Sequence, residues 1–156
     1  MKTLVAFYSR KGVTKKVAEA IADVLNCDCE EIFDTKNRKG LWGWLTSGRD
    51  AMRKRLTIIK ETKFNPANYD TVILGTPNFG SKMAAATRTY IAHHKDRLKQ
   101  VAFFCTAGGA DPGGLFSDME EFTGKKPVAV LSLTNAEVKK GTFEEKIKKF
   151  TAHLGR

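Results

Sequence analysis

The chain has 156 residues, 42% of them hydrophobic, with 27 Lys/Arg against 17 Asp/Glu and a formal net charge of +10. That length predicts one domain over residues 1–156 with a full core. No apolar run approaches a membrane span, no signal-peptide core with a cleavage site is expected, and three cysteines make no disulfide framework, so a reducing, cytoplasmic setting is the expectation.

A surface this basic attracts acidic proteins, anionic cofactors or nucleic acid, or simply keeps the chain soluble. Nucleic acid is the least favoured, because no nucleic-acid motif accompanies the charge. The excess is spread over Arg10–Lys16, Lys36–Lys39, Arg49–Lys63, Lys95–Lys99 and Lys139–Lys149 rather than held in a tail.

Leu4, Val5, Ala6 and Phe7 read as a strand buried on both faces. Val13, Val17, Ile21 and Val24/Leu25 follow at helical spacing. Between them lies a polar loop, Tyr8-Ser9-Arg10-Lys11-Gly12-Val13-Thr14. The first N–H groups of a helix have no partner within it, and its dipole adds positive charge there. Ser9 and Thr14 add hydroxyls, Arg10 and Lys11 add charge, and Gly12 permits a tight turn. The pattern is neither G-x-x-x-x-G-K-[ST] nor G-x-G-x-x-G. A phosphate cradle and an ordinary polar turn both fit it, and the loop alone does not decide.

Cys29–Phe33 reads as a short second strand. Cys27 and Cys29 stand two apart and face the same way on an extended segment, which favours two small strand residues over a metal site. Asp34–Lys63 breaks the rhythm with Trp42, Trp44, Gly40, Gly43 and Gly48. It predicts loop or broken helix, then from Ser47 a short basic helix with Ala51, Met52 and Leu56 as its buried face. The tryptophans belong either to a functional site or to packing over the sheet edge.

Asp70–Gly75 is the clearest strand and runs into Thr76-Pro77-Asn78-Phe79-Gly80-Ser81. A helix is predicted over Met83–His94, with His93 and His94 at its end, distant from that loop and read as helix-terminal residues. Gln100–Cys105 is the next buried strand, and it ends in Thr106-Ala107-Gly108-Gly109. A helix over Leu115–Phe122 and a strand over Pro127–Leu133 follow. The last helix is predicted over Thr142–Leu154, with Thr142 and Glu145 as a capping box.

Five strands alternating with helices predict an α/β fold with a doubly wound, mostly parallel sheet. The loops after the first, third and fourth strands then open on one sheet edge, where such folds bind ligands.

Three segments, FYSRKGVTKKVAEAI, VILGTPNFGSKMAAATRTYI and FFCTAGG, carry a family resemblance by their order and spacing. Over nearly its full length the chain resembles the flavodoxins and flavodoxin-like proteins. The resemblance implies a three-layer sandwich with a five-stranded parallel sheet of order 2-1-3-4-5. It implies non-covalent FMN, with Ser9, Arg10, Lys11, Gly12, Val13 and Thr14 on the phosphate. Thr76, Pro77, Asn78, Phe79 and Gly80 would flank the isoalloxazine on one side, and Thr106, Ala107, Gly108 and Gly109 on the other. Phe79 would pack near the ring, and Trp42 or Trp44 would cover it. No catalytic acid or base is identified.

Three features depart from the family pattern. Lys11 stands where a hydroxyl residue is usual. The chain is basic where electron-carrier flavodoxins are acidic, which suits an acidic, ferredoxin-like redox partner protein or a small-molecule electron acceptor. The third loop lacks a stacking tyrosine, which opens the site. An electron carrier is the first reading. An NAD(P)H-dependent oxidoreductase of quinones or small molecules, and a binding or regulatory module that has lost flavin, are the others.

Overall fold

The computed structural model describes residues 1–155. Its strands are β1 (Thr3–Tyr8), β2 (Asp28–Ile32), β3 (Thr71–Phe79), β4 (Lys82–Met83), β5 (Gln100–Ala107) and β6 (Val130–Thr134). Its α-helices are α1 (Val13–Leu25), α2 (Gly40–Met52), α3 (Ala85–His94), α4 (Leu115–Thr123), α5 (Asn135–Lys140) and α6 (Glu144–Ala152). None of these helices is long and apolar enough to cross a membrane.

The sheet runs β2-β1-β3-β5-β6 with parallel pairing throughout, and β4 pairs antiparallel with β3. Counted over the parallel strands alone, this is the expected order 2-1-3-4-5. The alternation of side chains along a strand explains the three layers. In β1, Leu4, Ala6 and Tyr8 join one core with Tyr90 and Ile91 of α3 and Leu115 and Met119 of α4. Val5 and Phe7 join the other with Val17 and Ile21 of α1, Val138 of α5 and Phe150 of α6. A strand covered on both faces has no polar side, so every residue of β1 is buried. Gly75 is required where it stands, because an added Cβ would lie 2.1 Å from the Phe104 ring.

Four expectations are corrected. First, Asp34–Lys63 holds one continuous helix, α2, rather than a broken one. Only Ala51 of its predicted buried face is buried, while Met52 and Leu56 are exposed. Second, Lys82–Met83 pairs with β3 across a two-residue turn, Gly80 (φ 56°) and Ser81 (φ 69°), so the following helix starts at Ala85 rather than Met83. Positive φ at both turn residues is the type I′ signature, whose twist matches the strands it joins. Third, the Thr-x-x-Glu cap that forms lies one helix earlier than predicted. Thr134 Oγ1 accepts the Glu137 N–H (3.1 Å) at the start of α5, a helix the sequence reading omits. Fourth, Phe143 and not Thr142 stands at the cap position of the last helix. The Thr142 N–H closes α5 on Glu137 O (3.1 Å), beside Gly141 at φ 71°, and α6 starts at Glu144.

Candidate functional site

The chain leaves β1 into a loop held by its own side chain. Ser9 Oγ accepts the Gly12 N–H at 3.0 Å. Gly12, at φ 97°, turns the chain directly into α1. The first bond of the helical pattern runs from Lys16 N–H to Gly12 O (3.1 Å), so the N–H groups of Val13, Thr14 and Lys15 precede it. Such groups have no partner within the helix and sit at its positive end.

Thr14 and Thr106 are both buried, and their hydroxyl oxygens lie 2.8 Å apart across 92 residues of sequence. This bond ties the first loop to the third. Two hydroxyls carry two hydrogens and the bond between them uses one. The accepting hydroxyl therefore keeps a hydrogen to offer the cavity both residues line.

The second loop is built for rigidity. Thr76 Oγ1 accepts the Ala84 N–H (3.0 Å) and donates to Pro77 O (2.8 Å). Asn78 accepts the Ser81 N–H (2.9 Å) through Oδ1 and donates through Nδ2 to Pro112 O (3.1 Å). It thus clamps the β3–β4 turn to the segment after β5.

Between these loops lies a cavity of about 360 Å³, a volume in the range of small-ligand sites. Ser9, Arg10, Lys11, Val13 and Thr14 form its first wall, and Pro77, Asn78 and Phe79 its second. Thr106, Ala107 and Gly108 form the third. Eleven of the fifteen sequence-predicted residues are brought together here. Gly12 instead lines the neighbouring cavity, Thr76 is fully buried beneath the second loop, and Gly80 lies in the hairpin turn against Met52. Gly109 is exposed beyond the third loop.

Two residues from outside the three loops complete the wall, Trp44 from α2 and Asn135 from the start of α5. Trp44 is one of the two tryptophans the sequence singles out, while Trp42 does not reach the cavity and is 78% exposed. Asn135 is not anticipated. The Thr134-x-x-Glu137 cap at the end of β6 is the signal that would have found it. Among the described residues, Arg10 and Lys11 are the only ionisable side chains in the wall, so the cavity is electrostatically positive.

A buried ion network fixes α2 beside this cavity. Arg38, only 5% exposed, donates to Asp50 (2.7 Å) and Asp34 (3.0 Å), and its carbonyl accepts from Arg10 Nη1 (3.2 Å). Gly43 lies so close to the Arg38 backbone that a Cβ would approach its carbonyl carbon to 2.1 Å. Burial of the Asp50 carboxyl works against its charge. Its bonds to Arg38 and Arg49, with Lys36 nearby, outweigh this and hold the group below the usual carboxylate range. At the base of the first loop, burial and the nearby Asp34 carboxylate push the Tyr8 hydroxyl up to about 12, so it stays protonated. A second cavity, of about 380 Å³, is lined by Arg10, Lys11, Lys36 and Lys39 together with Glu31 and Asp34.

Residues elsewhere have structural explanations. His94 accepts from Arg97 Nη2 at Nδ1 (2.8 Å), and burial with the adjacent Arg97 lowers it to about 4. Cys27 and Cys29 pack against the α1 side of the sheet, where burial raises both thiols to about 11.

Similar proteins fall on this same framework. A flavoprotein from Lactobacillus acidophilus NCFM, solved in complex with FMN, is 25% identical with a TM-score of 0.73, over 90% of this chain and 98% of that one. A protein of Bacteroides uniformis ATCC 8492 assigned as a flavoprotein is 23% identical, with a TM-score of 0.79 over 94% and 97% of the two chains. Oxidised flavodoxin 1 of Bacillus cereus is 18% identical, with a TM-score of 0.55 over 99% of each chain. At 23% and 18% identity the last two likenesses concern the fold alone. No curated protein matches the sequence significantly. The flavodoxin family model matches residues 2–150, spanning β1 through most of α6 and all three loops of the cavity, and the chain belongs to the flavodoxin family.

Proposed function

We propose that this chain binds FMN non-covalently in the cavity at the ends of β1, β3 and β5, and that it works as an electron carrier. The observation that carries the reading is the composition of the wall. It combines the α1 N-terminus, the Thr14–Thr106 hydroxyls, Arg10 and Lys11 with Trp44, Pro77, Phe79, Ala107 and Gly108. A phosphate suits the first group and a flat aromatic ring the second.

Bound FMN supplies the electron chemistry. The protein's part is to bind, orient and exclude water. The N–H groups of Val13, Thr14 and Lys15 and the spare hydroxyl hydrogen of the threonine pair donate to the phosphate. Arg10 and Lys11 offset its charge. Phe79, Pro77 and Trp44 keep water from the ring, and the clamped Asn78 keeps that wall in place.

We further infer a single working domain and a cytoplasmic, reducing setting, supported by three free thiols. The basic surface suits an acidic carrier protein as partner. A second reading, an NAD(P)H-dependent oxidoreductase of small molecules, is favoured by one feature. The third loop brings no aromatic side chain to the wall and Trp44 is 52% exposed, so the site has an open side. Anaerobic mixing of reduced, FMN-loaded protein with an acidic ferredoxin-like carrier and with a quinone tests both. Fast, salt-sensitive transfer to the carrier is expected. Sustained turnover of quinone with NADH or NADPH, without transfer to the carrier, would overturn the carrier reading.

A further inference from the structure

Helix α2 is turned inside out. Gly43, Ser47 and Asp50, its small and polar residues, face the protein and are buried. Leu41, Trp42, Leu45 and Met52 face outward at 76%, 78%, 47% and 57% exposure. Seven of the twelve large hydrophobic residues exposed among the described residues fall within positions 41–58, with Trp44, Leu56 and Ile58 completing the set. A lone exposed apolar residue needs no explanation, but a contiguous stripe marks an interaction surface.

The orientation is enforced. Asp50 is locked onto buried Arg38, Ser47 Oγ donates to Gly43 O (2.7 Å), and Gly43 packs against the Arg38 backbone. The fold therefore commits buried charge to holding the apolar stripe outward.

The flanks carry one sign of charge. Residues 36–55 contain seven cations, Lys36, Arg38, Lys39, Arg49, Arg53, Lys54 and Arg55, and one acid, the buried Asp50. All but Arg38 are exposed. A second copy of this chain would bring the same positive flanks against them. A convex row of Leu, Trp and Met bordered by Lys and Arg has the composition of a helix that lies in the headgroup layer of a bilayer.

We propose that α2 and the segment through Ile58 dock the protein onto an anionic lipid surface. Leu41, Trp42, Leu45 and Met52 enter the headgroup boundary, and Lys39, Arg53 and the neighbouring cations meet lipid phosphates. Trp44, on the same helix, lines the cavity, so docking brings the site to the bilayer surface. This surface does not depend on flavin being bound.

The test is co-sedimentation of the full chain with vesicles of phosphatidylcholine alone and of phosphatidylcholine with phosphatidylserine. Binding to the phosphatidylserine vesicles is expected, weakened by salt as headgroup attraction is screened, with tryptophan emission moving to shorter wavelength. Serine at Leu41, Trp42 and Leu45 together should lower binding by about tenfold for each side chain withdrawn from the boundary. All three side chains are exposed, so the thermal midpoint should stay with the parent, and Trp42→Ser alone serves as a lighter second variant. No binding to either vesicle, or equal binding by parent and variants, would overturn the proposal. So would variants that still sediment with vesicles while losing transfer to an acidic carrier protein, because the stripe would then be a protein-docking face.

Discussion

Replacing Thr14 with valine removes one hydroxyl and keeps the shape of the side chain. Thr14 is 2% exposed and Thr106 3%, and their oxygens are 2.8 Å apart, so Thr106 would be left with a buried, unpaired hydroxyl. Such a loss costs about 1–3 kcal/mol, or a drop of several degrees in thermal midpoint at this chain length. Thr106→Val should cost a similar amount. The double variant should cost less than the two together, because nothing is left unpaired once both are gone. Ligand binding gives a second, independent reading. The pair's spare hydrogen is available to the cavity both residues line, and a hydrogen bond to a charged group contributes about 1.5–3 kcal/mol. The double variant leaves neither hydroxyl to donate, so it should weaken FMN by roughly 10- to 150-fold and leave riboflavin, which lacks the phosphate, nearly unchanged. Calorimetric melting of the four proteins and flavin-fluorescence titration with both ligands provide the data. Additive stability losses would refute the coupling of the two loops. Equal weakening of FMN and riboflavin would refute the placement of phosphate at these hydroxyls.

Asp50→Asn should destabilise by about 3 kcal/mol, because it strips buried Arg38 of its closest carboxylate while Asp34 remains, and urea titration measures it. The sign with pH follows from the lowered Asp50: its contribution is present above the usual carboxylate range and is lost as pH falls through the folded value. His94, held neutral down to about 4, acts over a different window. Its contribution is full above about 6.5, the unfolded value, and falls by up to about 1.4 kcal/mol per pH unit from there toward 4. His94→Gln should flatten that part of the stability–pH curve. FMN should quench Trp44, which lines the cavity, more than Trp42, so Trp44→Phe should remove most of the quenching and Trp42→Phe little of it. The midpoint potential of the FMN-loaded protein should fall as salt rises, because added ions screen the +10 charge that favours the reduced, more negative cofactor.

The parts legible in the sequence are those where one physical signal dominates. LVAF, TVILG and VAFFC are continuous apolar runs ending in Gly, Ser and Thr, and each became a buried parallel strand with a polar loop at its carboxyl end. Helix α2 was illegible for the opposite reason. Its periodicity points the apolar residues at a core they do not face, and Gly43 and Gly48 read as breakers. Gly43 is there because the Arg38 backbone leaves no room for a Cβ, a constraint between segments that no local pattern carries. Gly80-Ser81 read as loop because the strand beyond the turn is only two residues long. The box at Thr142 and Glu145 was a plausible local signal, but α6 starts at Glu144 with Phe143 at its cap position. Asn135 was missed with α5 itself, whose six residues are too few to display a period.

Binding of FMN by the purified chain is the central claim, and a visible-absorption titration against FMN and against riboflavin measures it most directly. The account predicts saturation at one FMN per chain, with shifted flavin bands and much weaker riboflavin binding, because the α1 N-terminus and the threonine pair act only on a phosphate. An unshifted spectrum at saturating FMN, or equal affinity for both ligands, would contradict it.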